Sequence, residues 1–259
     1  MQDNPEKFLE VALEAVKKAE PFFCASFGKA SGVVEKKENA HRSLITDVDK
    51  EIERIITKHL VSRFPLHSIS GEELPAQKKQ SPYTWYIDPI DGTVNYVRGL
   101  FPVSISLGLW KDDKPLVGVV FDPMHMTLYS GVQGQGAFKN GKEKLRVSSA
   151  STLGESMGTI GRTTTLASEP TLQRVAKKMY RGRVYGSGAL ELCYIAEGKL
   201  DAMISERIKI FDVAAGIRIL TEAGGKATNW HGKTFNPLTP QIVASNGKIH
   251  DEILKELKG

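Results

Sequence analysis

Residues 85–99, WYIDPIDGTVNYVRG, set two carboxylates, Asp88 and Asp91, three positions apart where the apolar run Trp85-Tyr86-Ile87 should leave a buried strand. Pro89 between them fixes its own φ and pushes Asp88 into extended geometry, a stiff bend that aims neighbouring groups. Further acids stand at other element ends: Glu72-Glu73 after His67–Ser70, Asp212 in FDVAAG, and Asp49 in SLITDVD. Singly, each has an ordinary reading. Asp212 is a helix cap or first-turn acid, Glu72-Glu73 a solvated turn, and Asp91-Gly92 good turn chemistry. Together in one cleft they would repel unless cations held them. Hard divalent ions such as Mg²⁺ or Mn²⁺ want oxygen ligands, and no His/Cys cluster with zinc spacing competes. If a helix starts at Asp91-Gly92-Thr93, its amides can cradle a phosphate, with Gly92 allowing close approach. Metal-binding acids beside an anion-binding turn describe phosphoryl chemistry.

The elements that must position these groups follow from periodicity. After Asp3-Asn4-Pro5, the residues Phe8, Leu9, Ala12, Ala15, Val16 and Ala19 recur at helical spacing and predict a helix over 5–23. A second helix is expected over 48–64, capped by Thr46, with Ile52, Ile55, Ile56 and Leu60 on one face and Asp49 in its first turn. A β-rich block follows, with strands at 67–70, 84–88, 103–110, 116–121 and 127–132, and a turn at Asn140-Gly141. Beyond residue 146 strands are expected at 157–160, 201–205 and 241–244, with helices at 169–180, 189–197, 213–223 and the C-terminus. The pattern is α+β with layered sheets and helices, in two tightly packed halves, 1–146 and 147–259. No Pro/Gly linker separates them, and a cleft between them is a natural ligand site.

Composition narrows the class. With 259 residues, 41% hydrophobic and 25% charged, the chain can bury a large core. No run of about 18 apolar residues exists, so no membrane span is expected. The start, MQDNPEKFLE, lacks the basic-then-apolar order of a secretion signal, which points to the cytoplasm. Cys24 and Cys193 have no CxxC spacing and read as buried free thiols, with a disulfide the weaker alternative. A net charge of +5 and a pI near 9.0 suit an anionic partner. Without zinc-finger spacing, aromatic-flanked basic motifs or long Lys/Arg runs, nucleic acid is not the expected one.

WYIDPIDGTVNY closely resembles the first signature of the Mg²⁺-dependent, lithium-sensitive inositol monophosphatase family. FDVAAGIRILTEAGG resembles its second, with Phe211 where tryptophan is usual, and SGEE (70–73) and SLITDVD (43–49) fall where the family has its other acidic motifs. The likeness spans nearly the whole chain. It implies a layered α/β/α/β/α sandwich, usually a homodimer. It implies one metal on Glu72, Asp88 and the Ile90 carbonyl, and a second on Asp88, Asp91 and Asp212. Thr93, Asp49 and Glu72 form the implied catalytic set: Thr93 and Asp49 orient a metal-activated water, and Glu72 also holds a third, looser ion. Asp91, Gly92, Thr93 and Asp212 then face the phosphate end of the substrate. Gly186-Ser187-Gly188 falls on the family's substrate-hydroxyl loop; the same residues also read as a Gly-rich approach to a helix.

One segment departs from the pattern. Inositol-selective members usually carry a glutamate seven residues before the Asp212 position, and here that residue is Ser205. A one-residue slip brings Glu206 into the role. Arg207 and Lys209 could instead meet a second phosphate, as in dual-activity members that also hydrolyse fructose 1,6-bisphosphate, or form a solvated basic loop. Nucleotide and histidinol phosphate phosphatases are family neighbours, but differ after DPIDGT from Val94-Asn95-Tyr96. The expected substrate is a small phosphorylated polyol or sugar, inositol 1-phosphate first. The competing reading is a protein that contacts RNA or the transcription apparatus without catalysis, as some bacterial members do. The complete acid set favours the enzyme.

Overall fold

A computed structural model describes residues 4–29, 34–38, 41–45, 47–161, 170–236 and 238–258. Asp3, Thr46 and Glu169, expected at helix starts, lie outside the described residues. Helix α1 (Pro5–Ser26) begins where the Asn4 side chain accepts the Lys7 amide at 3.0 Å, and buries Phe8, Val11, Ala12, Ala15, Val16, Ala19 and Phe23. A short antiparallel hairpin, β1 (Val34–Glu38) and β2 (His41–Ile45), precedes α2 (Asp47–Arg63).

Seven strands then form one sheet in sequence order: β3 (Ser68–Gly71), β4 (Tyr83–Asp91), β5 (Ser104–Lys111), β6 (Lys114–Asp122), β7 (Thr127–Val132), β8 (Gly136–Lys139) and β9 (Glu143–Lys144). Only β3 and β4 pair parallel within it. The short helix α3 (Thr93–Arg98) follows β4. The second sheet runs β11-β10-β12-β14-β13, from β10 (Met157–Ile160), β11 (Arg181–Arg183), β12 (Ala202–Ser205), β13 (Lys226–Thr228) and β14 (Ile242–Ser245). Its helices are α4 (Pro170–Lys178), α5 (Gly188–Ala196), α6 (Ile210–Glu222) and α7 (His250–Lys258).

Side-chain alternation stacks these into layers. On β5, Ile105, Leu107 and Leu109 join the core under α1 and α2, while Trp110 points the other way into a core shared with α5 and α6. A third core sits between the second sheet and α4 and α7. The order is therefore α/β/α/β/α. Cys193 is buried and Cys24 half-buried, both as free thiols. Among the described residues no helix is long and apolar enough to cross a membrane.

In the central layer, α6 sits unusually close to the first sheet. Gly108, Gly118 and Gly131 are cross-strand partners on β5, β6 and β7, and together they form a bare row under the helix. A Cβ at Gly118 would lie 2.2 Å from the Ala215 carbonyl oxygen, one at Gly108 2.7 Å from the Ala214 carbonyl carbon, and one at Gly131 2.9 Å from the Ile219 Cα. The helix backbone rests on the sheet backbone, and the Trp110 indole donates to the Ala214 carbonyl at 3.0 Å. Gly118→Ala should therefore lift α6 and cost about 1–3 kcal/mol of stability, the usual scale of overpacking. Urea unfolding measures it, and a variant as stable as wild type would show that the helix yields freely.

Candidate metal and phosphate site

The parallel pairing of β3 and β4 puts two acids side by side. Gly71 and Ile87 are the last partners of that ladder, so Glu72 and Asp88 leave the sheet together, with the Glu72 amide still bonded to the Ile87 carbonyl at 3.1 Å. The β4–β5 register shifts between Asp88 and Asp91, a bulge where Pro89 cannot donate to a ladder. Asp88 Oδ1 accepts the Ile90 amide at 3.1 Å, and the Thr93 hydroxyl donates to the Ile90 carbonyl at 3.0 Å. Gly92, at φ +94°, turns the chain into α3, a conformation few side chains tolerate.

From the other half, α6 brings Asp212. The helix begins at Ile210, three residues before the expected Val213, because the Asp212 carboxylate reaches back to the Lys209 amide at 2.9 Å. The capping role and the cluster role thus coexist in one side chain. Carboxylate oxygens of Glu72, Asp88 and Asp212 lie within 4.8 Å of one another. Asp88 is 1% exposed, and burial first, then the charges of Glu72, Asp91, Asp212 and Asp49, holds its carboxyl well above the usual carboxylate range. Glu72, Asp88 and Asp212 thus form one cluster, with Asp91 and Asp49 near enough for their charges to act on Asp88.

This donor set fits a divalent cation. Mg²⁺ takes oxygens at about 2.1 Å, so its ligands sit up to about 4.2 Å apart, and 4.8 Å needs only slight closure. A 2+ charge would also offset the neighbouring charges that, after burial, push the Asp88 carboxyl up. The Lys209 ammonium already lies 2.8 Å from Glu72 Oε1, a weaker version of the same compensation.

Asp91 has a second task. Its Oδ2 accepts the Ser187 hydroxyl at 2.6 Å, the Ala189 amide at 2.8 Å and the Ser104 hydroxyl at 3.3 Å, while Oδ1 accepts the Gly188 amide at 3.1 Å. The acid from β4 thus caps α5, and the Gly186–Gly188 loop is anchored beside the cluster. Asn95 adds a tie, its Nδ2 donating to the Pro102 and Tyr185 carbonyls at 3.0 and 2.8 Å. Gly188 is equally constrained, since a Cβ there would sit 3.3 Å from Asp212 Cβ.

The departing segment splits into distinct roles. Ser205 is engaged locally, its hydroxyl accepting the Arg207 amide at 3.2 Å and donating to the Arg207 carbonyl at 3.1 Å. Arg207 is exposed. Glu206 Oε2 is buried and, among the described residues, has no hydrogen-bond partner. The space enclosed by Gly161, the 186–188 loop, Glu191 and Ser205 is only about 10 Å³, room for one water.

Two acids lie outside the sequence motifs. Glu191 accepts the Thr159 hydroxyl at 2.7 Å and the Gly186 amide at 3.2 Å, bracing the loop from inside α5. Glu53 accepts the amides of Glu73 and Leu74, and its carboxyl is pushed up to about 7, by burial first and then by Glu72 and Asp49 against those two hydrogen bonds. Glu53 was legible in one respect. It falls four residues after Asp49 on the apolar face of α2, where an acid needs a reason.

A carboxylate cluster drawn from β3, β4 and α6 on this layered frame could hold a divalent cation. The model of the inositol monophosphatase family matches residues 4–259. A Thermotoga maritima protein named fructose-1,6-bisphosphatase/inositol-1-monophosphatase is 35% identical over 95% of this chain and 94% of its own, and tomato (Solanum lycopersicum) inositol monophosphatase 3 is 37% identical over 97% of each. The chain belongs to the inositol monophosphatase family, and it is a phosphatase. The solved structure of a Thermotoga maritima IMPase superposes with a TM-score of 0.88 at 33% identity, covering 97% of both chains.

Proposed function

We propose that this chain is a Mg²⁺-dependent phosphomonoester hydrolase, with Mn²⁺ an acceptable substitute, that releases phosphate from inositol 1-phosphate. The observation that carries this reading is the convergence of Glu72, Asp88 and Asp212, whose carboxylate oxygens lie within 4.8 Å of one another around the buried Asp88. Glu72, Asp88 and Asp212 would hold the metal together with the Ile90 carbonyl and Asp91. Bound there, the ions supply charge that acidifies a water and stabilises the departing alkoxide. Thr93 and Asp49 would orient a water for in-line attack on phosphorus, and the Gly92 and Thr93 amides would face the phosphate oxygens. As the water oxygen bonds to phosphorus the ester P–O bond would break with its electron pair on the leaving oxygen, which would take a proton from solvent while the attacking water releases one.

On the polyol side, the 186–188 loop and Glu206 meet ring hydroxyls. Glu206 Oε2 is buried beside Gly161 and has no hydrogen-bond partner among the described residues, so a ring hydroxyl would reach it only with the side chain turned outward. Glu206→Gln should cut kcat/KM for inositol 1-phosphate about tenfold, the value of one hydrogen bond to a charged group, and leave fructose 1,6-bisphosphate turnover less affected. Equal losses on both substrates would place Glu206 outside the polyol site. Dual activity is the second reading. Exposed Arg207 and the half-exposed Lys209 ammonium beside Glu72 offer charge to a second phosphate, and the Thermotoga relative's name includes both activities. A homodimer goes with this proposal, supported by the exposed apolar pair Leu100 (56%) and Phe101 (55%), and a cytoplasmic location is part of the same reading. A substrate panel of inositol 1-phosphate, fructose 1,6-bisphosphate, 3′-phosphoadenosine 5′-phosphate and histidinol phosphate, with and without Mg²⁺, tests it. Release from none, alongside binding to RNA or RNA polymerase, would favour the non-catalytic alternative.

A further inference from the structure

We propose that Glu53 is a positioning residue: by pinning the turn that follows β3 to α2, it fixes the Glu72 carboxylate against Asp88 and Asp212. This rests on the proposed metal site and adds a residue to it.

The need for such a pin comes from the ladder. The Glu72 amide makes the last bond to β4, and beyond it the chain leaves the sheet, so the amides of Glu73 and Leu74 have no strand to bond. Glu53 Oε2 accepts the first at 2.8 Å and Oε1 the second at 3.1 Å. A carboxylate that takes two adjacent amides fixes both the position and the tilt of the peptide plane just after Glu72.

The fit is closed on the other side by Gly71. A Cβ there would lie 1.7 Å from Glu53 Oε1 and 2.1 Å from its Cδ, so the space a side chain would take is filled by the carboxylate. Glu53 is 1% exposed. Its place on α2 is also meaningful. One helical turn separates it from Asp49, so the same face delivers an acid that raises Asp88 and the acid that holds the Glu72 turn. Glu72 is the least buried of the three clustered carboxylates and the only one at the end of a short edge strand. It has the most freedom to lose.

Removing an outer residue that orients a ligand typically weakens metal binding about 10–100-fold. Glu53→Gln keeps the size but one of its two oxygens becomes an amide nitrogen, which cannot accept; Gly71→Ala evicts the carboxylate from the opposite side. Both should weaken Mg²⁺ and Mn²⁺ binding, read by calorimetry on the metal-free full chain, by about 10–100-fold. Phosphate release should need correspondingly more Mg²⁺ while kcat at saturating metal stays closer to wild type. In a Glu53→Ala background, Gly71→Ala should add little further loss, because the clash it creates is gone.

Metal affinity within about twofold of wild type in a folded Glu53→Gln variant would overturn the proposal, whatever happens to its melting temperature, since orienting residues act on affinity at the 10–100-fold scale. If that variant does not fold, Gly71→Ala carries the same test, and native circular dichroism with unchanged affinity overturns it. Wild-type protein that binds neither ion at millimolar concentration removes the metal site itself, an outcome distinct from wild-type binding with an unaffected variant.

Discussion

Asp88→Asn should lose about a thousandfold in Mg²⁺-dependent phosphate release and, without metal, melt higher than wild type. The two effects have one cause. Asn is nearly isosteric and its oxygen can keep the 3.1 Å bond from the Ile90 amide, so the bend at Pro89 survives. What disappears is a charge buried at 1% exposure among Glu72, Asp91, Asp212 and Asp49. In the proposed metal site that charge would be a shared ligand, and its loss should remove several kcal/mol of transition-state stabilisation, with each step of about 1.36 kcal/mol worth about tenfold. Without metal it is a liability. The folded carboxyl holds its proton to a pH well above the usual carboxylate range, while the unfolded one releases it near pH ~4. The folded state thus binds the extra proton, and metal-free stability falls as pH rises above about 4. Asn does not titrate, so its advantage grows across that window and reaches a few °C, at roughly 2–4 °C per kcal/mol. Thermal melts with EDTA and with Mg²⁺ should cross, wild type gaining most from the ion. A variant that melts below wild type in EDTA at about pH 8, well past the unfolded titration, would mean the acids do not repel as placed.

The fold was readable where burial imposes a period and obscure where it does not. The stripe Phe8, Ala12, Ala15, Ala19 predicts α1, and the runs at 103–110 and 116–121 predict β5 and β6, because each of these elements packs against a core. The hairpin VEKKE/HRSLI and the strands RGR and KAT carry no such period, and their ladders rather than their side chains make them strands. The site was legible through its acids, since carboxylates beside a strand-ending Pro need an explanation. Its supports were not. Gly108, Gly118 and Gly131 look like ordinary strand glycines until their register aligns them under α6. Glu53 shows in the sequence only as an acid on the apolar face of α2, and the turn it holds does not show at all. Pairing between residues distant in sequence is what the linear chain hides, and the same pairing lets Asp212 meet Asp88.

That dependence is sharpest at Asp91. The residue is an expected metal ligand that also ties β4 to the start of α5, so its replacement should damage stability and activity together. Asp91→Ala removes the acceptor of Ser187, Gly188, Ala189 and Ser104 in one step. Two of those donors are amides of the first turn of α5, which no earlier helical residue can satisfy. Hydrogen bonds to a charged group contribute about 1.5–3 kcal/mol each and do not add fully, so a loss of about 3–5 kcal/mol is expected, a large share of the stability of a single chain. Asp91→Asn should fall between, since its carbonyl oxygen still accepts one amide and the Ser187 hydroxyl can turn to accept from its NH₂. The same series separates docking from chemistry. In a double-mutant cycle with Ser187→Ala, a coupling of about 1 kcal/mol or more would show that the bond holds α5 to the sheet. The Asn variant should stay folded yet turn over poorly, because the 186–188 loop and the acid cluster shift as one body. Urea midpoints for Asp91→Ala equal to wild type would instead place α5 on the sheet by its apolar face alone, leaving Asp91 with only the chemical role.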